Sequence, residues 1–126
     1  MRHVVTACLL LVALVHALPV IGVGGTGPLA ALYGVQVRDP DIEILLRHRA
    51  VFFGLVALLL GASAFHPPLR TQALCVGIVS VGSFLLVGWQ VGGCNASLQR
   101  VVQVDVLALA ALAVAALLHW RLPAAA

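Results

Sequence analysis

Lysine is absent from this chain of 126 residues, and the seven basic side chains are all arginines, at positions 2, 38, 47, 49, 70, 100 and 121. Acidic residues number four, and charged residues make up 9% of the sequence, against about 25% in an ordinary soluble domain. With 63% of residues apolar and a mean hydropathy of +1.15, there is too little polar surface to coat a water-soluble globule. The chain belongs in lipid. Arginines scattered singly or in pairs form no dense basic stripe, which excludes nucleic acid as a partner.

Cysteine is scarce as well. Cys8, Cys75 and Cys94 have no CxxC spacing and no histidine at a zinc-finger interval, so they signal neither a redox dithiol nor a metal site and read as small apolar filler. The five histidines show no HxxH or HxH spacing, and no metal is expected. Gly22-Val23-Gly24-Gly25-Thr26-Gly27 satisfies the G-x-G-x-x-G pattern but follows an apolar run rather than a strand, so it reads as a flexible exit from a helix, not a nucleotide site. No cofactor and no catalytic residue are signalled.

What is present is a set of four long apolar runs, at about residues 3–21, 45–65, 71–91 and 101–120, each close to the ~20 residues that a bilayer core demands. Pro, Gly or charge marks every break between them. Lipid offers the backbone no hydrogen-bond partners, so the runs should be helices. The expected fold is all-α: an integral membrane four-helix up-down bundle, one transmembrane domain over residues 1–126, with a short interfacial helix in the first loop. Arg2 before an apolar run and Val15-His16-Ala17 imitate a secretory signal, but the run continues to Val23, and a retained first span is expected.

The first connection is the long one. Pro28-Leu29-Ala30-Ala31-Leu32-Tyr33-Gly34 is an apolar patch ended by glycine, read as the interfacial helix with Tyr33 at headgroup depth. Asp39-Pro40-Asp41-Ile42-Glu43 looks like a helix start, with Asp39 as cap, Pro40 at the first helical position and acids at the positive end of the dipole. Arg47 and Arg49 then fall within the second span, which leaves Arg38 alone among three acids in the loop. On the positive-inside rule that favours cytoplasmic N- and C-termini in a bacterial inner membrane.

Ala50, Gly54, Ala57, Gly61 and Ala64 alternate spacings of four and three, making one face on which another helix can approach closely. Arg47, seven residues before Gly54, extends that face. Asp105 is the one carboxylate inside a span and shares a stripe with Ala108, Leu112 and Ala115. A buried charge at bilayer depth costs at least about 2.5–3.5 kcal/mol and calls for a partner. Arg47 and Asp105 are therefore expected to pair, directly or through Gln103. His16, Gln90 and Asn95 converge on the same leaflet and complete a candidate ligand-binding cluster of Arg47, Asp105, His16, Gln103, Gln90 and Asn95. Arg49, well round the helix from Arg47, is expected to snorkel to headgroups. At the opposite leaflet Arg2, His3, His66, Arg70, His119 and Arg121 read as lipid anchors.

Four spans in so short a chain, Leu32-Tyr33-Gly34-Val35 in a long first loop, and Leu46-Arg47-His48-Arg49-Ala50-Val51-Phe52-Phe53-Gly54 opening the second span resemble the DoxX-like group of small four-helix bacterial membrane proteins. The resemblance implies a membrane bundle, sometimes linked to quinone or sulfur redox partners. A second resemblance, to phosphopantetheine adenylyltransferases, fails because no HxGH motif is present. Two functions follow. One is a non-enzymatic structural or accessory bundle that self-associates or accompanies another membrane subunit. The other is a bundle whose Arg47/Asp105 end binds an apolar small molecule with a polar head, such as a quinone or a lipid, in redox or transport. An open, partly apolar cavity at that end favours the second, and close packing favours the first.

Overall fold

The computed structural model describes residues 1–121; residues 122–126 lie outside the described part. Helix α1 spans Arg2–Ala17 and gives way to a 3-10 segment, Leu18–Gly24, where Pro19 has no N–H to continue the α-helical ladder. A short helix, α2 (Thr26–Tyr33), stops at Gly34, whose φ of 65° is the left-handed conformation that ends many helices. Helix α3 (Pro40–Phe65) starts as the sequence suggests: the Asp39 carboxylate accepts the Asp41 N–H at 2.9 Å, Pro40 opens the first turn, and Asp41 and Glu43 lie in it. Helices α4 (Arg70–Val91) and α5 (Ala96–Arg121) complete the chain. Asn95 caps α5, its Oδ1 accepting the Leu98 N–H at 2.8 Å.

Four stretches, Arg2–Gly24, Pro40–Phe65, Pro67–Val91 and Ala96–Arg121, are long and apolar enough to cross a membrane. The chain is thus an all-α membrane protein. The stretches outrun the apolar runs because capping residues and polar first turns lie beyond the hydrocarbon-like part of each.

The long helices close into a ring: α1 packs on α3 and α5, and α4 packs on the same two. Successive spans are antiparallel neighbours, the up-down arrangement that short connections impose. Leu9, Val12, Leu60, Leu74, Val81 and Leu112 fill the centre together with Ala13, Ala64, Ala73, Ala108, Ala115 and Ala116. Leu11, Leu14, Leu58, Val79 and Leu107 point outward. Small residues at helix contacts and large apolar ones outside suit a bundle in lipid, where packing rather than water exclusion holds helices together.

At the end that carries the N-terminus, Arg70 turns into the bundle instead of serving as a plain lipid anchor. Its Nε donates to the Ser63 carbonyl at 3.2 Å, and its Nη2 to the Ala64 carbonyl at 3.1 Å. These are last-turn carbonyls of α3, which His66 before Pro67 leaves without continuing helix.

The other end departs further from expectation. Helix α2 packs on the 3-10 segment and α5, with Leu29 and Tyr33 buried, so Tyr33 is turned inward rather than placed among headgroups. Gly22 permits this docking: a β-carbon there would stand 2.8 Å from Leu29 Cδ2.

Candidate functional site

Beneath α2 lies a cavity of about 250 Å³, lined by the ends of α1, α3 and α5 together with the 3-10 segment. Its walls are largely apolar: Val15, Leu18, Pro19, Leu32, Val101 and Val104. Its polar groups are His16, Tyr33, Arg49, Ser97, Arg100 and Asp105.

Each polar group is placed by its own element. Asp105 continues the stripe of Ala108, Leu112 and Ala115, all three buried, and so faces inward as the spacing predicts. His16 is 2% exposed. Its Nδ1–H donates to the Val12 carbonyl at 2.9 Å, and Nε2 accepts from the Ser80 hydroxyl of α4 at 3.2 Å, so one ring proton satisfies both contacts. The ring also leans against Phe53, with centroids 5.8 Å apart.

Arg49 is the centre of the site. Its guanidinium carbon lies 4.6 Å from the centroid of Phe53, 5.4 Å from that of Tyr33 and 5.5 Å from that of Phe84, so residues of three helices hold it through their π faces. Nη1 donates to the Tyr33 hydroxyl at 3.1 Å. Arg49 therefore does not snorkel away. It lies on a stripe with Phe53, Val56 and Leu60, since eleven residues bring a helix back to within about 20° of its starting direction, and Leu60 is fully buried.

The expected Arg47–Asp105 pair does not form. Arg47 Nη1 instead pairs with Glu43 at 3.1 Å, one helical turn earlier, and Nε donates to the Val23 carbonyl at 3.0 Å. The face itself is as read, because Gly54, on the same stripe, also meets this neighbourhood through Val20. What differs is the neighbour, the 3-10 segment in place of α5. Gln103 is exposed on a different side of α5 from Asp105, and Gln90 is exposed at the end of α4; neither lines the cavity. Asn95 does not line it either. Its Nδ2 donates to the carbonyls of Tyr33 (2.9 Å) and Gly34 (3.2 Å), which fastens α2 to the start of α5 and thereby roofs the cavity. Of the six candidates the structure brings together His16 and Asp105, and it adds Arg49, Arg100 and Tyr33.

The corrected pairing has a direct check. Arg47→Ala should cost no more than about 1 kcal/mol, the range for an exposed ion pair. With Asp105→Ala it should be additive within about 0.5 kcal/mol in detergent unfolding. A coupling above about 1 kcal/mol would restore the pair.

Among the described residues no group of three His, Cys, Asp or Glu side chains is placed to hold a metal ion. No family model, curated protein or solved structure matches the chain.

Proposed function

We propose that this chain is a small, non-enzymatic bundle of the bacterial inner membrane, with both termini cytoplasmic, that holds an amphiphilic small molecule of quinone or lipid-like kind. The site is the Arg49–Asp105 end of the cavity. The observation that carries the reading is the opening itself: apolar walls on several elements converge on a few polar groups at one end, the usual make-up of a small-molecule site. A cluster that served only to set helix register would be closely packed. The resemblance of the loop and second-span motifs to DoxX-like proteins accords with this reading, and a redox or transport role would be exercised through the bound molecule.

A structural or accessory subunit is the alternative. An open groove between α1 and α3, lined by Ala13, Leu14, Gly54, Ala57 and Leu58, favours it. Native mass spectrometry of the chain in lipid nanodiscs separates the two. Binding predicts a co-purified small mass that is displaced by added quinone or long-chain amphiphile. A ligand-free oligomer, or a complex with another membrane subunit, would support the alternative and overturn the first.

A further inference from the structure

The cavity suits a ring or a headgroup better than a whole lipid, since ligand pockets commonly run to about 300–1,000 Å³. A second opening adjoins it. Between α3 and α4 a cleft of about 370 Å³ is lined by Phe52, Val56, Phe84 and Val87, with Ser80 and Ser83 beside them. Phe52 and Val87 are more than half exposed on the outer surface, so this cleft faces the acyl chains. Arg49 and Phe53 line both openings.

The charges of the two spaces do not balance. Arg49 and Arg100 stand against Asp105 alone, and His16 satisfies its contacts as a neutral ring. Among the described residues the one ion pair is Arg47–Glu43, so Asp105 does not neutralise Arg49 by contact. Three rings fix the position of the Arg49 guanidinium and Tyr33 engages Nη1, which leaves Nε and Nη2 as donors with no partner among the described residues. A positioned guanidinium with free N–H groups is the side chain best matched to a carboxylate or phosphate, and an excess cation in a low-dielectric setting favours an anion over a neutral acceptor.

We infer that the amphiphile carries an anionic head, a carboxylate or phosphate, held by Arg49 within the cavity, while its hydrocarbon tail lies in the Phe52–Phe84 cleft open to the membrane. This rests on the proposed binding function and specifies its ligand. It also gives Arg49 the part of selecting the head and the α3/α4 cleft the part of lateral entry from the bilayer.

The test uses the full chain in nanodiscs of zwitterionic lipid, titrated with palmitate, octanoate, hexadecyl phosphate, hexadecanol, a short-tailed quinone and inorganic phosphate. The expected result is that palmitate or hexadecyl phosphate binds at least tenfold tighter than hexadecanol, that Arg49→Gln removes this preference, and that Arg47→Gln keeps it. Whichever of palmitate and hexadecyl phosphate binds tighter identifies the head. Val87→Trp, which narrows the cleft without touching the arginine, should weaken palmitate several-fold and leave octanoate unchanged; this variant keeps the test informative if Arg49→Gln does not fold. Quinone binding with no preference between palmitate and hexadecanol would overturn the inference while leaving the binding function intact. Inorganic phosphate binding as tightly as hexadecyl phosphate would overturn the role of the tail. Binding of none of the amphiphiles would overturn both.

Discussion

Replacing Gly34 by valine is expected to destabilise the protein by about 2–5 kcal/mol and to detach α2 from α5. Two costs combine. The left-handed backbone at Gly34 penalises any residue with a β-carbon by about 1–2 kcal/mol, and more when that carbon is branched. A β-carbon here would also stand 2.9 Å from Ser97 Oγ and 3.0 Å from Ser97 Cβ, an overpacking that typically costs about 1–3 kcal/mol. The two are separable by experiment. Gly34→Ala combined with Ser97→Gly relieves the Ser97 contact and leaves the backbone strain, so it should recover part of the loss that Gly34→Ala alone shows in detergent unfolding. Full recovery would show that the left-handed conformation is of no consequence, and no loss in the single variant would show that α2 does not dock as described. Because Tyr33 and Leu32 line the cavity, Gly34→Val should weaken ligand binding together with stability.

Phe53→Ala should have the second large effect, on binding as well as on stability. Phe53 supports two of the ionisable side chains at the site: its ring is the nearest of the three to the Arg49 guanidinium and also contacts the His16 imidazole. A Phe→Ala change in a water-soluble core costs about 3–5 kcal/mol. Here the ring is half-buried, and lipid tails are as apolar as the core, which removes most of the transfer contribution and leaves the packing one. About 1–3 kcal/mol of stability is therefore expected to be lost. On the proposed binding function, ligand affinity should fall at least tenfold, because Arg49 loses its closest support. Phe53→Tyr keeps the ring face and should retain affinity. Phe53→Leu keeps much of the bulk without the π face and should behave as Phe53→Ala in binding but not in stability. Equal affinity for the Leu and Tyr variants would mean that the aromatic face does not position Arg49.

Much of this site was legible one helix at a time. The Asp105–Ala108–Leu112–Ala115 stripe pointed inward as its spacing requires, and the Asp39-Pro40 start of α3 was readable from the chemistry of helix ends. The Arg49–Phe53–Val56–Leu60 stripe is equally present in the spacing, but the row of small residues one position away runs through Arg47. Small residues mark where a neighbour comes close, and along α3 that is the bundle centre at Ala64 but the 3-10 segment at Gly54. Helix α3 has both kinds of face. Its small-residue side meets α1 and the 3-10 segment, and its Arg49–Leu60 side meets the cavity, α4 and the bundle core.

Composition and hydropathy alone determined that this is an all-α membrane protein with four spans, because unbroken apolar runs of about 20 residues satisfy their backbone in lipid as helices, whereas barrel strands are shorter and alternate apolar with polar residues. Helix periodicity determined which residues of one span face together. The tertiary structure decided which face met which neighbour: the docking of α2 over Gly22, and its attachment to Asn95, brought Tyr33 onto Arg49, and the 3-10 segment beside α3 gave Arg47 the Val23 carbonyl, while its Glu43 partner lies one turn back on α3 itself. Side-chain partners across helices depend on how far each connection carries the chain before it turns back, and no period within a single helix encodes that distance.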